Sequence, residues 1–223
     1  MNKKTDWDAY YSRPSKFSGF ARQITINHIL HAIGRYGSKI ANICELGGAN
    51  SCIYADIHRT YPSAQYCVVD NNATGMALLK SKNIFQGQLI LIESDIMQKI
   101  SLKDSMDVVF SIGLIEHFSP LETAIAIQQH FSLVKEGGFV VITFPTPTWL
   151  YRCARKISEA LGLWIFHDER PLTMQAVVKE MEKYGDCIDS FINWKIVFTQ
   201  GIVVIKAKVA GDTALAVSIG AVD

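Results

Sequence analysis

The sequence lacks the marks of two common nucleotide-binding turns. No lysine occurs between Lys39 and Lys80, so the glycine turn at Gly47-Gly48 cannot end in the Lys-Ser/Thr pair of a phosphate-binding P-loop. The turn has only two adjacent glycines, and the G-x-G-x-x-G spacing of dinucleotide-binding domains is missing as well. A nucleotide phosphate is therefore a poor candidate ligand for this turn.

Other absences narrow the class of protein. The net charge is only +1 and the basic residues are scattered, so the sequence shows no nucleic-acid footprint, although a nucleic-acid substrate is not thereby excluded. The five cysteines form no C-x-x-C pair, which favours buried free thiols in a reducing compartment and gives no metal site. No apolar signal segment and no run of about 18 to 20 apolar residues is present. We expect a cytoplasmic protein without a resident metal.

What is present is an alternation of apolar segments of strand length with helical patterns, which predicts a parallel, doubly wound α/β sheet. The last third instead contains two consecutive strands, Ile188 to Phe198 and Ile202 to Val209, separated by Thr199-Gln200-Gly201. A connection that short forces an antiparallel hairpin. We therefore predict a mostly parallel, seven-stranded sheet with an antiparallel C-terminal hairpin.

The stretch from Ile40 to Tyr54 is the centre of the prediction. It reads as an apolar strand that ends at Glu45, then the glycine turn, then a helix that opens at Asn50 or Ser51, both good N-caps. Open α/β sheets bind ligands in the crevice beyond such a strand. A purely structural turn between strand and helix is the alternative reading.

Two further acids are predicted at the C-terminal ends of strands, as Glu45 is. Asp70 ends the second predicted strand and Asp95 stands just beyond the third. Asp70 could instead cap the helix after Asn71-Asn72, and Asp95 could be an exposed turn residue. Three acids at three adjacent strand tips are harder to explain by capping alone.

Two segments carry strong local signals. Residues 119–122, Ser-Pro-Leu-Glu, form a capping box with proline at the first helical position, and this helix should run to Gly137-Gly138. Residues 5–20 are aromatic and too irregular for a core element, so we interpret them as a lid over a site or over the sheet edge.

In this order, the pieces resemble the class I S-adenosylmethionine-dependent methyltransferase family over nearly the whole chain. That family carries an acid and a glycine-rich turn after its first strand, an acid at the tip of the second, an acid after the third, and a C-terminal antiparallel hairpin. The segment Phe110 to Phe118, FSIGLIEHF, and the Gly137-Gly138 turn resemble the subgroup that acts on small molecules. The resemblance implies S-adenosylmethionine as cofactor and methyl transfer as activity.

The resemblance also implies roles for individual positions. Glu45 would attract the amino group of the cofactor's methionine part, Asp70 would accept hydrogen bonds from both ribose hydroxyls, and Asp95 would accept from the adenine amino group. Ile96 or Met97 would pack on the adenine ring. The implied cofactor-binding set is Glu45, Gly47, Gly48, Asp70, Asn71, Asp95, Ile96 and Ser111.

The resemblance departs from the family at one point and divides the chain into parts. The family's turn has alternating glycines, whereas Ala49 and Ser51 occupy the later positions here. A single domain over residues 1–223 would comprise a lid and helix, a cofactor-binding core, an acceptor-side insertion, a last helix with the hairpin, and a tail. Their predicted ranges are 1–36, 37–145, 146–172, 173–209 and 210–223.

His117 is the candidate catalytic residue, because a hydroxyl acceptor needs a base and histidine has a suitable pKa. The alternative is that His117 only packs and hydrogen-bonds beneath the lid.

Residues 149–166 combine aromatic and basic side chains as an amphipathic helix. This pattern suits an apolar or lipid-linked acceptor, or contact with a membrane surface, and also suits an ordinary lid helix.

Three functions follow from these patterns. The first is a methyltransferase acting on a metabolite, glycan or lipid-like small molecule, with a hydroxyl favoured as the acceptor group. The second is a domain that binds S-adenosylmethionine or S-adenosylhomocysteine without catalysis. A nicotinamide oxidoreductase is disfavoured by the missing third glycine.

Overall fold

The computed structural model describes residues 4–12, 19–37, 39–82, 88–100, 102 and 105–208. Part of the predicted lid, residues 13–18, lies outside the described residues. The same holds for Val209, at the predicted end of the last strand, and for the predicted tail, residues 210–223.

The described strands form one seven-stranded sheet in the order β3-β2-β1-β4-β5-β7-β6. The first five strands pair in parallel, and β7 runs antiparallel to both β5 and β6. This confirms the predicted α/β fold with a reversed strand near one edge. The strands are β1 Asn42–Leu46, β2 Gln65–Asp70, β3 Leu89–Glu93, β4 Met106–Ile112, β5 Val134–Pro145, β6 Gly185–Asn193 and β7 Gln200–Ala207.

Helices cover both faces of the sheet, which explains why the central strands are apolar along their whole length. One apolar layer includes residues of α2, α3 and α4, and the other includes residues of α5 and α7. The helices are α1 Trp7–Ser12, α2 Gly19–Tyr36, α3 Tyr54–Thr60, α4 Ala73–Lys82, α5 Pro120–Leu133, α6 Trp149–Ala160 and α7 Met174–Met181, with a 3₁₀ turn at Ile115–His117.

The capping box at the start of α5 is confirmed. The Ser119 hydroxyl accepts from the Glu122 N–H, and the Glu122 carboxylate accepts from the Ser119 N–H at 3.0 Å. The Thr123 hydroxyl also donates to the Ile115 carbonyl at 3.0 Å. These bonds fix the 3₁₀ turn between β4 and α5.

Two details of local structure differ from the sequence pattern. Within the predicted lid, residues 5–20, the aromatic stretch Trp7–Ser12 is a short helix with no buried residue, which agrees with the prediction that it is not a core element. Neither Asn50 nor Ser51 caps α3, because the helix begins only at Tyr54 and its N-cap residue Ile53 makes no side-chain capping bond. Ser51 instead closes the glycine turn, since its N–H donates to the Gly48 carbonyl at 2.8 Å.

Three predicted boundaries also differ from the structure. Helix α5 ends at Leu133, and Gly137-Gly138 lies within a bulged part of β5, where Val134 pairs with Met106 but Phe139 pairs with Val108. The amphipathic helix predicted to reach residue 166 ends at residue 160. The hairpin connection spans residues 194–199 rather than three residues.

Among the described residues, no helix combines the length and the apolar character that crossing a bilayer requires.

Candidate active site

The glycine turn after β1 depends on both of its glycines. Gly47 has φ +72°, a conformation that other residues rarely adopt, and its N–H donates to the Val69 carbonyl at 2.9 Å. At Gly48 a Cβ atom would lie 2.4 Å from the carboxyl carbon of Glu45. The turn is therefore closed over the tips of β1 and β2.

Glu45 lies beneath this turn and is 3 % exposed. Its carboxylate accepts a hydrogen bond from the Tyr66 hydroxyl, and Ser51 also bonds to it. Burial raises the pKa of Glu45 to about 7, against the opposing effect of these two hydrogen bonds. The observed partners of Glu45 are side chains of the protein itself, and its contact with the cofactor's amino group stays a prediction.

Asp70 ties the glycine turn to the start of α4. One carboxylate oxygen accepts from the Ala49 N–H at 3.0 Å, and the other accepts from the Asn72 N–H at 2.8 Å. The Tyr11 side chain of α1 lies beside Asp70. Burial raises the pKa of Asp70, although the backbone hydrogen bonds oppose the change. The neighbouring Asn71 is exposed.

Asp95 occupies a turn beyond β3 and is partly exposed. Its carboxylate accepts from the Met97 N–H at 2.9 Å, and its carbonyl accepts from the Gln98 N–H at 2.9 Å. The next side chain, Ile96, is buried in the apolar layer that includes α5. The contacts of Asp95 and Ile96 with adenine stay predictions.

Ser111 is placed differently from the other predicted cofactor residues. Its side chain is fully buried, and its hydroxyl lies 2.9 Å from Nε2 of His130 on α5. Nδ1 of His130 lies 2.7 Å from the Ala126 carbonyl, and burial lowers the pKa of this histidine to about 4. The neutral imidazole therefore donates through Nδ1 and accepts from Ser111 through Nε2.

Helix α1 covers the crevice from above. The Tyr11 ring lies so close to Gly75 that a Cβ atom there would approach it to 2.9 Å, and the Asn50 amide donates to the Tyr11 carbonyl. At the other side of α1, the Trp7 ring meets His117 edge to face at a centroid distance of 4.9 Å. This single helix thus contacts both the Asp70 side and the His117 side.

His117 is mostly buried and is oriented by Asp168. Its Nδ1 lies 3.0 Å from the Asp168 carboxylate, which also accepts a hydrogen bond from the Thr5 hydroxyl. Burial lowers the pKa of His117 below its ordinary value, although Asp168 opposes this effect. A neutral imidazole bonded in this way donates through Nδ1 and keeps the lone pair of Nε2 free.

Two further carboxyl groups lie near the imidazole ring of His117. Glu116 is 2 % exposed, its Oε1 lies 3.9 Å from Nε2, and its buried Oε2 has no hydrogen-bond partner among the described residues. Glu169 accepts from the Tyr151 hydroxyl. Ligand atoms of Glu116, His117 and Glu169 lie within 4.8 Å of one another. Burial raises the pKa of Glu116 well above its ordinary range and that of Glu169 to about 7.

The structure brings some of the predicted site residues together, leaves others apart, and adds residues that were not predicted. Glu45, Gly47, Gly48 and Asp70 come together at the tips of β1 and β2, and His117 stands at the tip of β4. The sequence reasoning missed Tyr11, Asp168 and Glu169. One feature of the sequence could have indicated Asp168 and Glu169. They belong to the charged run His167-Asp168-Glu169-Arg170, which lies between the apolar residues Phe166 and Pro171.

Comparisons with known proteins agree with this arrangement. Residues 44–142, which include the glycine turn, Asp70, Asp95 and His117, match the family described as a methyltransferase domain. A comparison with curated proteins finds no match.

Solved structures of methyltransferases share the fold. The N-methyltransferase NodS from Bradyrhizobium japonicum WM9, in complex with S-adenosyl-L-homocysteine, is 9 % identical, with a TM-score of 0.64 over 83 % of this chain and 86 % of its own. Magnesium protoporphyrin IX methyltransferase from Synechocystis PCC 6803, with the same molecule bound, is 15 % identical, with a TM-score of 0.67 over 84 % of each chain. An O-methyltransferase family protein from Burkholderia thailandensis is 12 % identical, with a TM-score of 0.63 over 90 % of this chain and 63 % of its own.

At these identities the neighbours establish the fold. Residues 44–142 of the chain match a methyltransferase domain, and this match, together with the neighbours that hold S-adenosyl-L-homocysteine, indicates S-adenosylmethionine as the cofactor.

Proposed function

We propose that this protein transfers a methyl group from S-adenosylmethionine to a small-molecule acceptor, with a hydroxyl as the favoured acceptor group. The observation that carries the proposal is the position of His117. It is oriented by Asp168, buried under α1, and located at the tip of the strand adjacent to β1.

The residues at the tips of β1 and β2 fit the cofactor. Gly47 and Gly48 keep side chains out of the turn, so that a ligand can approach the backbone closely. The Asp70 carboxylate lies beside the glycine turn with the Tyr11 side chain next to it, and it would accept hydrogen bonds from the ribose hydroxyls. Asp95 would receive the adenine amino group. The bound cofactor supplies an electrophilic methyl group on a sulfonium ion.

His117 would remove the proton from the acceptor hydroxyl. Asp168 holds the imidazole through Nδ1, and the free lone pair of Nε2 can then accept a proton. Because burial lowers the pKa of His117, the imidazole is neutral near pH 7 and available as a base.

The surrounding acids favour a polar group on the acceptor. The unpartnered Oε2 of Glu116 is buried, and a buried polar atom without a partner costs about 1 to 3 kcal/mol. An acceptor that donates a hydrogen bond to this oxygen would remove that cost. We therefore propose an acceptor with at least two adjacent polar groups, one of which is methylated.

The test is methyl transfer from radiolabelled S-adenosylmethionine to a panel of small hydroxyl-bearing and amine-bearing acceptors. We expect turnover with a hydroxyl-bearing acceptor. Tight binding of S-adenosylhomocysteine by calorimetry, with no transfer to any acceptor, would instead indicate a non-catalytic binding domain. Binding of NAD without binding of S-adenosylhomocysteine would contradict both readings.

We also propose the cytoplasm as the location of the reaction. All five cysteines are free, and this supports a reducing compartment.

A further inference from the structure

Large apolar side chains that are open to solvent are concentrated on one surface of the protein. Ten such side chains are exposed in the described part of the chain, and eight of them belong to residues 149–165 and 194–198. They are Trp149, Ile157, Leu161, Leu163, Ile165, Trp194, Val197 and Phe198, and we call them the apolar face. Contiguous exposed apolar surface usually marks a site of interaction.

The two segments form a single surface, although about 30 residues of sequence separate them. The Thr148 and Thr199 hydroxyls lie 2.7 Å apart where the segments meet. The Phe198 ring contacts Trp164 and Tyr151 at centroid distances of 5.3 and 6.1 Å. The apolar face therefore combines α6, the residues after it and the β6–β7 connection.

The orientation of α6 is unusual for a helix that merely covers a core. Exposed Trp149, Cys153, Ile157 and Ala160 recur at spacings of three and four residues, which places them on one stripe. Tyr151, on the other side of the helix, is 1 % exposed. Helix α6 thus presents an apolar stripe to solvent.

Basic side chains flank this stripe. Arg152, Lys156 and Lys195 are exposed, and within the described ranges none of them has a carboxylate within ion-pair distance. The exposed acid of α6, Glu159, is paired with Arg155 at 2.8 Å. The exposed charges that remain around the apolar face are positive.

A groove beside α6 extends the positive charge. It has a volume of about 430 Å³ and is lined by Arg152, Arg155 and Lys156, together with Pro147, Tyr151, Glu159 and Pro171. Arginine and lysine side chains are the usual partners of phosphate oxygens.

We propose that the apolar face docks on an anionic lipid surface. Apolar side chains rich in tryptophan would enter the interface, and the flanking basic groups would meet phosphate headgroups. Phe166 follows this face directly and packs near His117 at a centroid distance of 6.0 Å. Docking would thus bring the acceptor side of the crevice to the headgroup level, a consequence that rests on the proposed function, whereas docking itself does not.

The test is co-sedimentation of the whole chain with vesicles of phosphatidylcholine containing about one third phosphatidylglycerol, and with vesicles of phosphatidylcholine alone, since anionic lipid attracts basic side chains. We expect binding to the anionic vesicles, weakening with added salt. The double variant Trp149→Ser/Leu163→Ser should bind at least tenfold less. Phe20→Ser/Leu121→Ser is the matched control, because these side chains are equally exposed but lie outside the apolar face, and it should bind like the wild type.

Two further measurements test the role of the basic side chains and the entry of tryptophan into the lipid. Arg152→Glu/Lys156→Glu should lower binding to the anionic vesicles at least fivefold. The tryptophan emission of the wild type should shift to shorter wavelength on adding these vesicles, a readout that needs no variant. No sedimentation and no shift would overturn the proposal, and so would a dimer in light scattering that the Trp149→Ser/Leu163→Ser variant abolishes, since it would assign the face to a second copy of the chain.

Discussion

The proposed function assigns Glu45, Gly47, Gly48 and Asp70 to the cofactor and Glu116, His117 and Asp168 to the acceptor. These two sets of residues, called the cofactor side and the acceptor side of the crevice, are held together in different ways. Asp70 accepts from the backbone of Ala49 and Asn72, which are 21 and 2 residues away in the chain. His117 is held by Asp168, 51 residues away, and Asp168 by Thr5, 163 residues away. The backbone bonds that hold Asp70 thus lie within one continuous segment, from β1 to the start of α4, whereas those that hold His117 depend on the packing of three distant segments.

The two sides also differ in how fully their buried carboxyl groups are satisfied. Asp70 accepts two backbone hydrogen bonds, and Glu45 accepts one from Tyr66. Oε2 of Glu116 has no partner among the described residues. The buried carboxyl groups of the cofactor side are therefore satisfied before ligand binding, whereas the acceptor side keeps a buried carboxyl oxygen for a ligand to satisfy.

The largest expected effect is on the acceptor side. His117→Ala should lower turnover by about 10³-fold, since general-base catalysis contributes about 10² to 10⁴-fold. The affinity for S-adenosylhomocysteine should stay within about twofold of the wild type, because His117 belongs to the other side of the crevice. Radiometric turnover and calorimetry on the same preparation measure the two quantities.

Asp168→Asn provides a graded comparison for this prediction. It keeps the shape of the side chain but removes the charge that orients His117, so a smaller loss of turnover is expected than for His117→Ala. Unchanged turnover in the alanine variant, with the cofactor still bound, would reduce His117 to a packing residue.

The second prediction concerns the pH dependence of stability on the cofactor side. Folded Glu45 keeps its proton up to about pH 7, whereas the ordinary pKa of glutamate is 4.5. A pKa raised on folding gives stability that is present below the unfolded pKa and is lost as pH rises through the folded pKa. As the pH rises from 4.5 to about 7, the free energy of unfolding of the wild type should fall by about 3 kcal/mol relative to that of Glu45→Gln, because the glutamine has no proton to release.

Urea unfolding across this pH interval checks the prediction. The exposed Glu136 supplies the matched control, since Glu136→Gln removes a carboxyl group at the surface and should leave the pH profile as in the wild type. Parallel profiles for the wild type and Glu45→Gln would show that the buried carboxyl does not hold its proton.

The third prediction concerns cofactor affinity. Asp70→Ala removes the acceptor for the ribose hydroxyls and for the Ala49 N–H, and a hydrogen bond to a charged group contributes about 1.5 to 3 kcal/mol. The dissociation constant for S-adenosylhomocysteine should rise by about 10²-fold.

Glu93 is the matched control for Asp70, because it pairs with Asp70 in the sheet register and is an exposed acid at the tip of β3. Glu93→Ala should bind S-adenosylhomocysteine within about twofold of the wild type. Equal affinities for both variants would remove Asp70 from the cofactor site.

The smallest expected effect is that of a chelator. Glu116, His117 and Glu169 are close enough to share a cation, but in the proposed function Nε2 of His117 stays free to accept a proton, and we predict no resident metal. Dialysis against EDTA should leave turnover unchanged. A loss of activity that manganese or zinc restores would replace the base at this position by a metal ligand.

Much of the fold and of the cofactor side could be predicted from the sequence, because the signals are local. An apolar strand, an acid at its tip and the Gly47-Gly48 turn lie within a few residues, and so does the Ser119–Glu122 capping box. Some predictions of local structure were wrong because the same residue type suits two different roles. Ser51 is a good N-cap by type, yet its N–H closes the glycine turn instead.

The acceptor side could not be predicted in the same way. Nothing near His117 in the chain indicates that Asp168 and Thr5 converge on it, since that convergence depends on how α1 and the segment after α6 pack. The placement of Tyr11 beside Asp70 is equally non-local. The exposure of the apolar stripe of α6 likewise depends on which side of the helix Tyr151 buries.

A crystal structure with S-adenosylhomocysteine tests the central claim most directly. We expect the ribose hydroxyls at about 2.7 Å from the Asp70 carboxylate, with His117 still bonded to Asp168. A nucleoside bound elsewhere, with nothing between Gly47 and Asp95, would contradict this claim.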